Sequence, residues 1–232
     1  SDIIHFHYPY PFADILYFLF AKNKKSVVTY HSDIVRQKKL LFFYKIIRDL
    51  FLNSVDRIIA TSNNYFVSSK TLQKFNSKVS IIPIGIDINS YPIVNKKIKL
   101  KFKKYLPKDF FIFIGNFRYY KGLDIALDAV KGTNLNLVLV GIGQVKNKIM
   151  KKVKEEKITN VIFIDSVSEE EKIALLDLAY AFIFPSYLRS EAFGISLLEA
   201  AVMGKPLISC EIGTGTSYIN KNGLTGLVIE PK

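Results

Sequence analysis

The chain has 232 residues, 49% hydrophobic and 23% charged, and its 33 Lys plus Arg against 20 Asp plus Glu give a formal net charge of +13. This apolar share excludes a disordered tail or a collagen-like repeat. The lone cysteine, Cys210, excludes an intramolecular disulfide framework and points to a reducing compartment.

Short β-branched runs alternate with longer helical patterns along the chain. Strands are expected at 2–6, 26–30, 57–61, 79–82, 110–115, 135–140, 161–165, 181–185, 206–209 and 226–229. Helices are expected at 11–21, 35–53, 64–75, 123–130, 145–157, 169–180 and 195–203. The strand runs lack clean polar alternation, as in parallel sheets buried on both faces. A strand-helix alternation of this kind predicts an α/β doubly wound fold. Between 86 and 109 the apolar rhythm stops: Asp87, Asn89, Ser90 and Pro92 supply turn chemistry, and a Lys-rich stretch from Lys96 intervenes before the next strand. The boundary is therefore placed to give a lobe over 1–95 and a second over 96–232, both Rossmann-like. The chain opens and closes on strand, so the first lobe is expected to lack a leading βα portion and the second its last helices.

Residues 1–20 carry neither the basic start nor the small-residue cleavage site of a secretory signal. No run of about 18 uncharged apolar residues reads as a membrane span. The nearest, 40–55, is interrupted by Lys45, Arg48 and Asp49.

Charge is uneven. Residues 1–107 hold 18 Lys plus Arg and 6 Asp plus Glu, the remainder 15 and 14, so the first half carries the excess. Within it, 33–52 combines Arg36, Lys38, Lys39, Lys45 and Arg48 with Leu40, Phe42, Phe43, Ile47 and Phe51. A basic amphipathic helix favours an anionic membrane surface; a core helix with solvated lysines is the competing reading. The basic residues follow no nucleic-acid recognition motif and do not interleave with a stacking platform, so nucleic acid is not an expected partner.

The sharpest local feature is Glu191 and Glu199, eight apart, bracketing Gly194. Pro185, Ser186 and Tyr187 end a strand upstream, which puts Glu191 in a strand-to-helix loop at the carboxyl edge of the sheet, where such folds bind ligands. The amides of Gly194, Ile195 and Ser196 then lie at a helix N-terminus that favours an anion such as a phosphate. Glu199, about one turn further in, is placed to accept hydrogen bonds from ribose hydroxyls. Two solvated acids on a surface helix are the plain alternative.

Residues 184–231, FPSYLRSEAFGISLLEAAVMGKPLISCEIGTGTSYINKNGLTGLVIEP, resemble the donor-binding region of the retaining glycosyltransferases of family 4, with their Glu, seven residues, Glu motif. The likeness extends to FIFIGNFRYYKGLDIALDAV (111–130), LVLVGIG (137–143), VIFIDSVSEEE (161–171) and IIPIGID (81–87). TYHSDIVRQKKLL (29–41) further resembles mannosyltransferases of bacterial surface-polysaccharide assembly.

That resemblance implies a GT-B fold, two Rossmann-like lobes facing a cleft, and transfer of a hexosyl group, mannosyl among the candidates. The donor would be GDP-mannose or a UDP-sugar, and the acceptor a glycan or lipid-linked glycan. The work would be done in the cytoplasm or peripherally at the inner face of the membrane. Charge building on a diphosphate leaving group calls for fixed cations. Lys121 matches the family's phosphate-binding lysine. Asn116 stands where the family has an arginine, with Arg118 the substitute two positions on. Gly194 and Ile195 would bind donor phosphate and Glu199 the ribose. His7 resembles the histidine near the transferred sugar. His31 and Arg36 fall on the acceptor side. Glu191 would position the donor sugar and stabilise developing positive charge, with the leaving phosphate helping to take the acceptor's proton.

No cofactor is expected. No metal is expected either, since Asp-x-Asp and short-spaced Cys/His sets are missing. Gly141 and Gly143 open a dinucleotide fingerprint that lacks its third glycine, which argues against hydride transfer. The alternatives are a sugar-nucleotide epimerase or phosphorylase on the same fold, a basic nucleic-acid-binding protein, or a fragment inactive by itself.

Overall fold

The computed structural model of the chain describes residues 2–34 and 38–231. It divides into two units. The first comprises Ser1–Ile84 with Arg189–Phe193 and Gly213–Tyr218, and the second Gly85–Leu188, Gly194–Ile212 and Ile219–Lys232.

The first unit is built on four parallel strands, β1 (Ile3–Tyr8), β2 (Lys25–Tyr30), β3 (Arg57–Ala60) and β4 (Val79–Ile81), in spatial order β1-β2-β3-β4. Pro11 opens α1 (Pro11–Leu16), where its fixed φ suits the first turn, and the helix runs on into a π turn over Tyr17–Ala21. α2 (Lys38–Ser54) packs Phe51 and Leu52, with Val55 just past its end, against Val28, Ile58 and Tyr65, all fully buried. The rings of Tyr8 and Tyr30 stack at 4.4 Å. The single helix expected over 64–75 is instead two, α3 (Asn63–Ser68) and α4 (Lys70–Lys74). Ser69 breaks it: its backbone is extended, and its hydroxyl accepts from the Leu72 amide as the cap of α4.

In the second unit six parallel strands follow the order β10-β9-β8-β5-β6-β7. These are β5 (Phe111–Ile114), β6 (Leu137–Val140), β7 (Val161–Ile164), β8 (Ala181–Phe184), β9 (Leu207–Cys210) and β10 (Gly226–Ile229). Between them run α6 (Leu123–Val130), α7 (Lys146–Glu155), α8 (Glu169–Leu178) and α9 (Ile195–Val202), with the short α10 (Gly215–Ile219) after β9. α8 starts on a reciprocal capping box between Ser168 and Glu171. β6 is buried at every residue, the continuous apolar run expected of a strand covered on both faces. The chain leaves β5 in one direction through β6 and β7 and returns to β8 on the other side. β5 and β8 are therefore neighbours at a topological switch point.

One stretch corrects the sequence reading. The Lys-rich stretch, outside the expected helices, is a helix, α5 (Lys96–Lys103), capped by the Asn95 side chain on the Lys97 amide. Ile98, Phe102 and Leu106 recur every four residues and pack into the core of the second unit, with Phe102 and Leu106 buried. Lys101 pairs with Glu171 of α8 at 3.0 Å, and Lys99 with Asp177. The charge argument shifts accordingly. Six lysines between 96 and 104 belong to the second unit, and the first unit carries 13 Lys plus Arg against 6 Asp plus Glu.

Candidate functional site

In the second unit the loops after β5 and β8 meet above the switch point, where open α/β sheets bind ligands. Gly122 shows why glycine is required there. It adopts φ +64, and a Cβ on it would fall 2.1 Å from the Pro185 carbonyl oxygen. Gly141 is similarly confined, its absent Cβ 2.0 Å from the Gly115 carbonyl oxygen. The amide of Tyr187 donates to the Tyr120 carbonyl at 3.1 Å, and its hydroxyl to the Tyr119 carbonyl at 3.1 Å.

This packing holds Lys121, which closes a 3₁₀ turn (Tyr119–Lys121), buried with its ammonium 4.5 Å from the Phe184 ring centroid. Asn116 and Arg118, on the same loop, are exposed. The Lys121 amide donates to the Arg118 carbonyl at 3.0 Å, so the two cations share one tight turn. Asn116, Arg118 and Lys121 thus lie on one loop after β5.

Gly194 is the N-cap of α9, with φ +92. Having no side chain, it leaves the first amides of the helix, from Ile195 onward, without a side-chain acceptor at the cap, which suits an incoming anion. Glu199 lies in the second turn, buried. Its Oε1 accepts from the Lys172 ammonium of α8 at 2.7 Å and from the Tyr91 hydroxyl at 2.9 Å. Burial, then the hydrogen bond to Glu199, pushes the Tyr91 phenol up to about 12. Burial works against the Lys172 charge, yet its bonds to Glu169 and Glu199 hold it above the usual lysine value. Neither Lys172 nor Tyr91 follows from motif reading, because neither belongs to the Glu-to-Glu motif. Lys172 carries no sequence signal beyond following a capping box.

The first unit holds the histidines. His5 and His7 both lie within β1, which extends to Tyr8 and not only to residue 6. Alternate positions put both rings on one face, 4.6 Å apart. The His7 Nδ1 and His31 Nε2 share a hydrogen bond at 2.8 Å, and the His5 Nε2 and Thr29 hydroxyl another at 2.7 Å. Burial, then His7 and His5, holds His31 below the ordinary histidine range, favouring its neutral form. Arg36 lies outside the described residues.

Glu191 is buried in the loop after β8, on the stretch that groups with the first unit. Next to it Arg189 pairs with Asp33 at 3.0 Å and lies 5.0 Å over the Tyr65 ring. Asp33 also accepts from the Tyr30 hydroxyl at 2.8 Å and the Ser69 hydroxyl at 3.0 Å. Arg189 sits in the resembling stretch, but its identity alone gives no hint of this anchorage.

Comparisons with known proteins bear on the family and the fold. The family described as Glycosyl transferases group 1 matches residues 94–232, and that described as Glycosyltransferase Family 4 matches residues 1–90. The chain is 49% identical to the D-rhamnosyltransferase WbpZ of Pseudomonas aeruginosa, with 100% of this chain and 61% of that protein aligned. It is 44% identical to the O-antigen chain mannosyltransferase C of Escherichia coli, covering 99% of this chain and 62% of that one. It therefore spans about three fifths of the length of these relatives. Among solved structures, sucrose-phosphate synthase from Thermosynechococcus elongatus superimposes with a TM-score of 0.83 at 21% identity, covering 100% of this chain and 61% of that one. The Anabaena protein Alr3699/HepE, crystallised with UDP, gives 0.76 at 17%, covering 100% and 65%. These likenesses are of fold, the two parallel-sheet Rossmann-like units of GT-B glycosyltransferases. By its matches over both halves, the chain belongs to the group 1 glycosyl transferases, glycosyltransferase family 4.

Proposed function

We propose that the protein is a retaining glycosyltransferase of surface-polysaccharide synthesis that moves a hexosyl group, mannosyl or its 6-deoxy counterpart, from a nucleoside-diphosphate sugar to a growing glycan or lipid-linked glycan. The observation that carries this reading is near-half identity along the whole chain to two relatives named for rhamnosyl and mannosyl transfer. Both sugars share the manno configuration. GDP and UDP are the two candidate nucleotides, the second because HepE was crystallised with it.

The roles follow from charge. The bond from the sugar C1 to the diphosphate oxygen breaks as negative charge collects on the leaving group. Lys121, Arg118, Asn116 and the α9 amides at Gly194 and Ile195 oppose that charge without needing to reorganise. Glu199 accepts from the ribose. Glu191 orients the sugar hydroxyls and offsets positive charge at C1, and His7 lines the sugar. The acceptor oxygen bonds C1 on the face the phosphate leaves, and the acceptor's proton passes to the departing phosphate. His31 and Arg36 belong to the acceptor side. A calorimetric titration of GDP and UDP tests the donor assignment, with Lys121→Ala and Glu199→Ala as controls. One nucleotide binding tightly and weakened by both substitutions supports it. Weak binding of both, unchanged by either, overturns it.

A lipid-linked acceptor would bring the protein to an anionic membrane surface. No helix among the described residues is long and apolar enough to cross a membrane. Supporting surface docking, α2 exposes Phe42, Ile46 and Leu50 at four-residue spacing beside exposed Lys45. Phe12, Leu19 and Phe20 are also exposed in the first unit, ahead of exposed Lys22, Lys24 and Lys25. Co-sedimentation with phosphatidylglycerol vesicles but not phosphatidylcholine vesicles, lost at high salt, is the expected result. Equal recovery with both refutes the electrostatic part.

A further inference from the structure

Glu199 has an acquired geometry that its place on α9 does not explain by itself. A glutamate in the second turn of a helix has three rotatable bonds and ordinarily samples several rotamers. Here two donors from elsewhere in the second unit converge on one carboxylate oxygen. The Lys172 ammonium, from the first turn of α8, and the Tyr91 hydroxyl, from just beyond a 3₁₀ turn (Ile88–Ser90), both reach Oε1. Among the described residues Oε2 accepts no hydrogen bond. Lys172 is itself fixed on its other side by Glu169 at 2.7 Å, and its ammonium lies 5.8 Å from the Tyr91 ring centroid. Four side chains from three segments thus form one clamp that leaves Glu199 Oε2 open to an incoming donor.

We propose that Lys172 and Tyr91 are positioning residues for donor recognition, holding Glu199 by Oε1 so that Oε2 is aimed at the nucleotide ribose. The inference rests on the ribose role given to Glu199 above. Its physical content is preorganisation. A carboxylate already oriented loses little side-chain freedom when the ligand's hydroxyl arrives, and the affinity gained is that saved entropy plus a charge-assisted hydrogen bond. The ammonium also offsets a negative charge that would otherwise stand close to a dianionic diphosphate. Lys172 is well suited because its bonds to two carboxylates keep it charged. An uncharged side chain of the same length would leave Glu199 buried beside Tyr91 alone.

The test measures, in the full chain, the affinity of whichever of GDP and UDP binds more tightly, of its 2′-deoxy analogue and of its monophosphate. The wild type should prefer the ribonucleotide over the deoxy analogue by about tenfold or more, the value of one hydrogen bond to a charged group. Glu199→Ala should abolish that preference. Lys172→Met should reduce it to under about threefold while leaving the preference for diphosphate over monophosphate intact. Lys172→Arg should restore it, and Tyr91→Phe should fall between. Lys172→Met keeping full deoxy discrimination, with Glu199→Ala losing it, overturns the positioning role and leaves the ribose assignment standing. Glu199→Ala keeping full discrimination overturns the ribose assignment and the inference with it. Lys172→Arg and Tyr91→Phe preserve bulk and serve if Lys172→Met does not fold.

Discussion

The Lys121 ammonium lies 4.5 Å from the centroid of the Phe184 ring, so the loop after β5 places its cation on the last residue of β8. The aromatic face stabilises the charge while the surroundings strip much of its water. A cation held in this state gains more from an anionic ligand than a solvated one does. Lys121→Met should therefore weaken GDP or UDP binding by about 30-fold, equivalent to ~2 kcal/mol for one charge-assisted contact. The corresponding monophosphate should lose much less. Equal losses for both, read by calorimetry, would mean that Lys121 does not serve the terminal phosphate.

The same loop depends on Gly122. Its left-handed backbone costs a non-glycine residue roughly 1–3 kcal/mol, and its absent Cβ would meet the Pro185 carbonyl at 2.1 Å. Gly122→Ala should lower stability by about 2 kcal/mol or more in urea unfolding. It should also displace Lys121 and weaken nucleotide binding. Wild-type stability would show that the two loops are not in contact as described.

α5 supplies a third expectation. Phe102 is buried beneath a run of lysines, and Phe102→Ala should cost about 3–5 kcal/mol. Lys103→Ala or Lys104→Ala, on exposed positions, should change stability by no more than about 0.5 kcal/mol. Equal, small effects from all three would show that this stretch does not pack into the core of the second unit.

A pH dependence follows from Asp14. It is buried in the first unit, accepts a hydrogen bond from the Tyr44 hydroxyl, and is pushed up from 3.8 to about 6 by burial, against the opposing pull of that bond. The folded chain therefore holds this proton more tightly than the unfolded one. The contribution is fully present below about pH 4 and is lost as pH rises from 4 through 6, by up to about 3 kcal/mol at ~1.4 kcal/mol per pH unit. Asp14→Asn keeps an acceptor for Tyr44 and should remove that slope. Denaturant midpoints of the two proteins between pH 4 and 7 should thus converge at the acidic end and separate towards neutrality, with Asp14→Asn the more stable. Parallel curves would refute the assignment.

Most of the strand-helix order was legible because parallel strands buried on both faces announce themselves as unbroken apolar runs, as in β6, and because Leu123–Val130 carries a clear helical stripe. What escaped was hidden by a louder local signal. The lysines of α5 masked the spacing of Ile98, Phe102 and Leu106. Ser69 broke one expected helix because an extended conformation lets its hydroxyl cap the next. At the candidate site, Lys121, Gly194 and Glu199 could be named because their chemistry is tied to short motifs. Lys172 and Tyr91 are 81 residues apart in the chain, and only folding brings them to the same oxygen of Glu199. The clustering of His5, His7 and His31 likewise depends on the register that sets His7 opposite Thr29 on β2.

Under the proposed function, hexosyl transfer from a nucleoside-diphosphate sugar is expected to need Glu191 for the reaction and not for nucleotide affinity. The most direct test is the rate of transfer from GDP-mannose or a UDP-hexose to a lipid-linked glycan by the wild type and by Glu191→Ala, with GDP and UDP affinities measured alongside. A fall in rate of about 100-fold or more, equivalent to roughly 2.7 kcal/mol of transition-state stabilisation, with nucleotide affinity unchanged, is the predicted result. A normal rate in Glu191→Ala would contradict it.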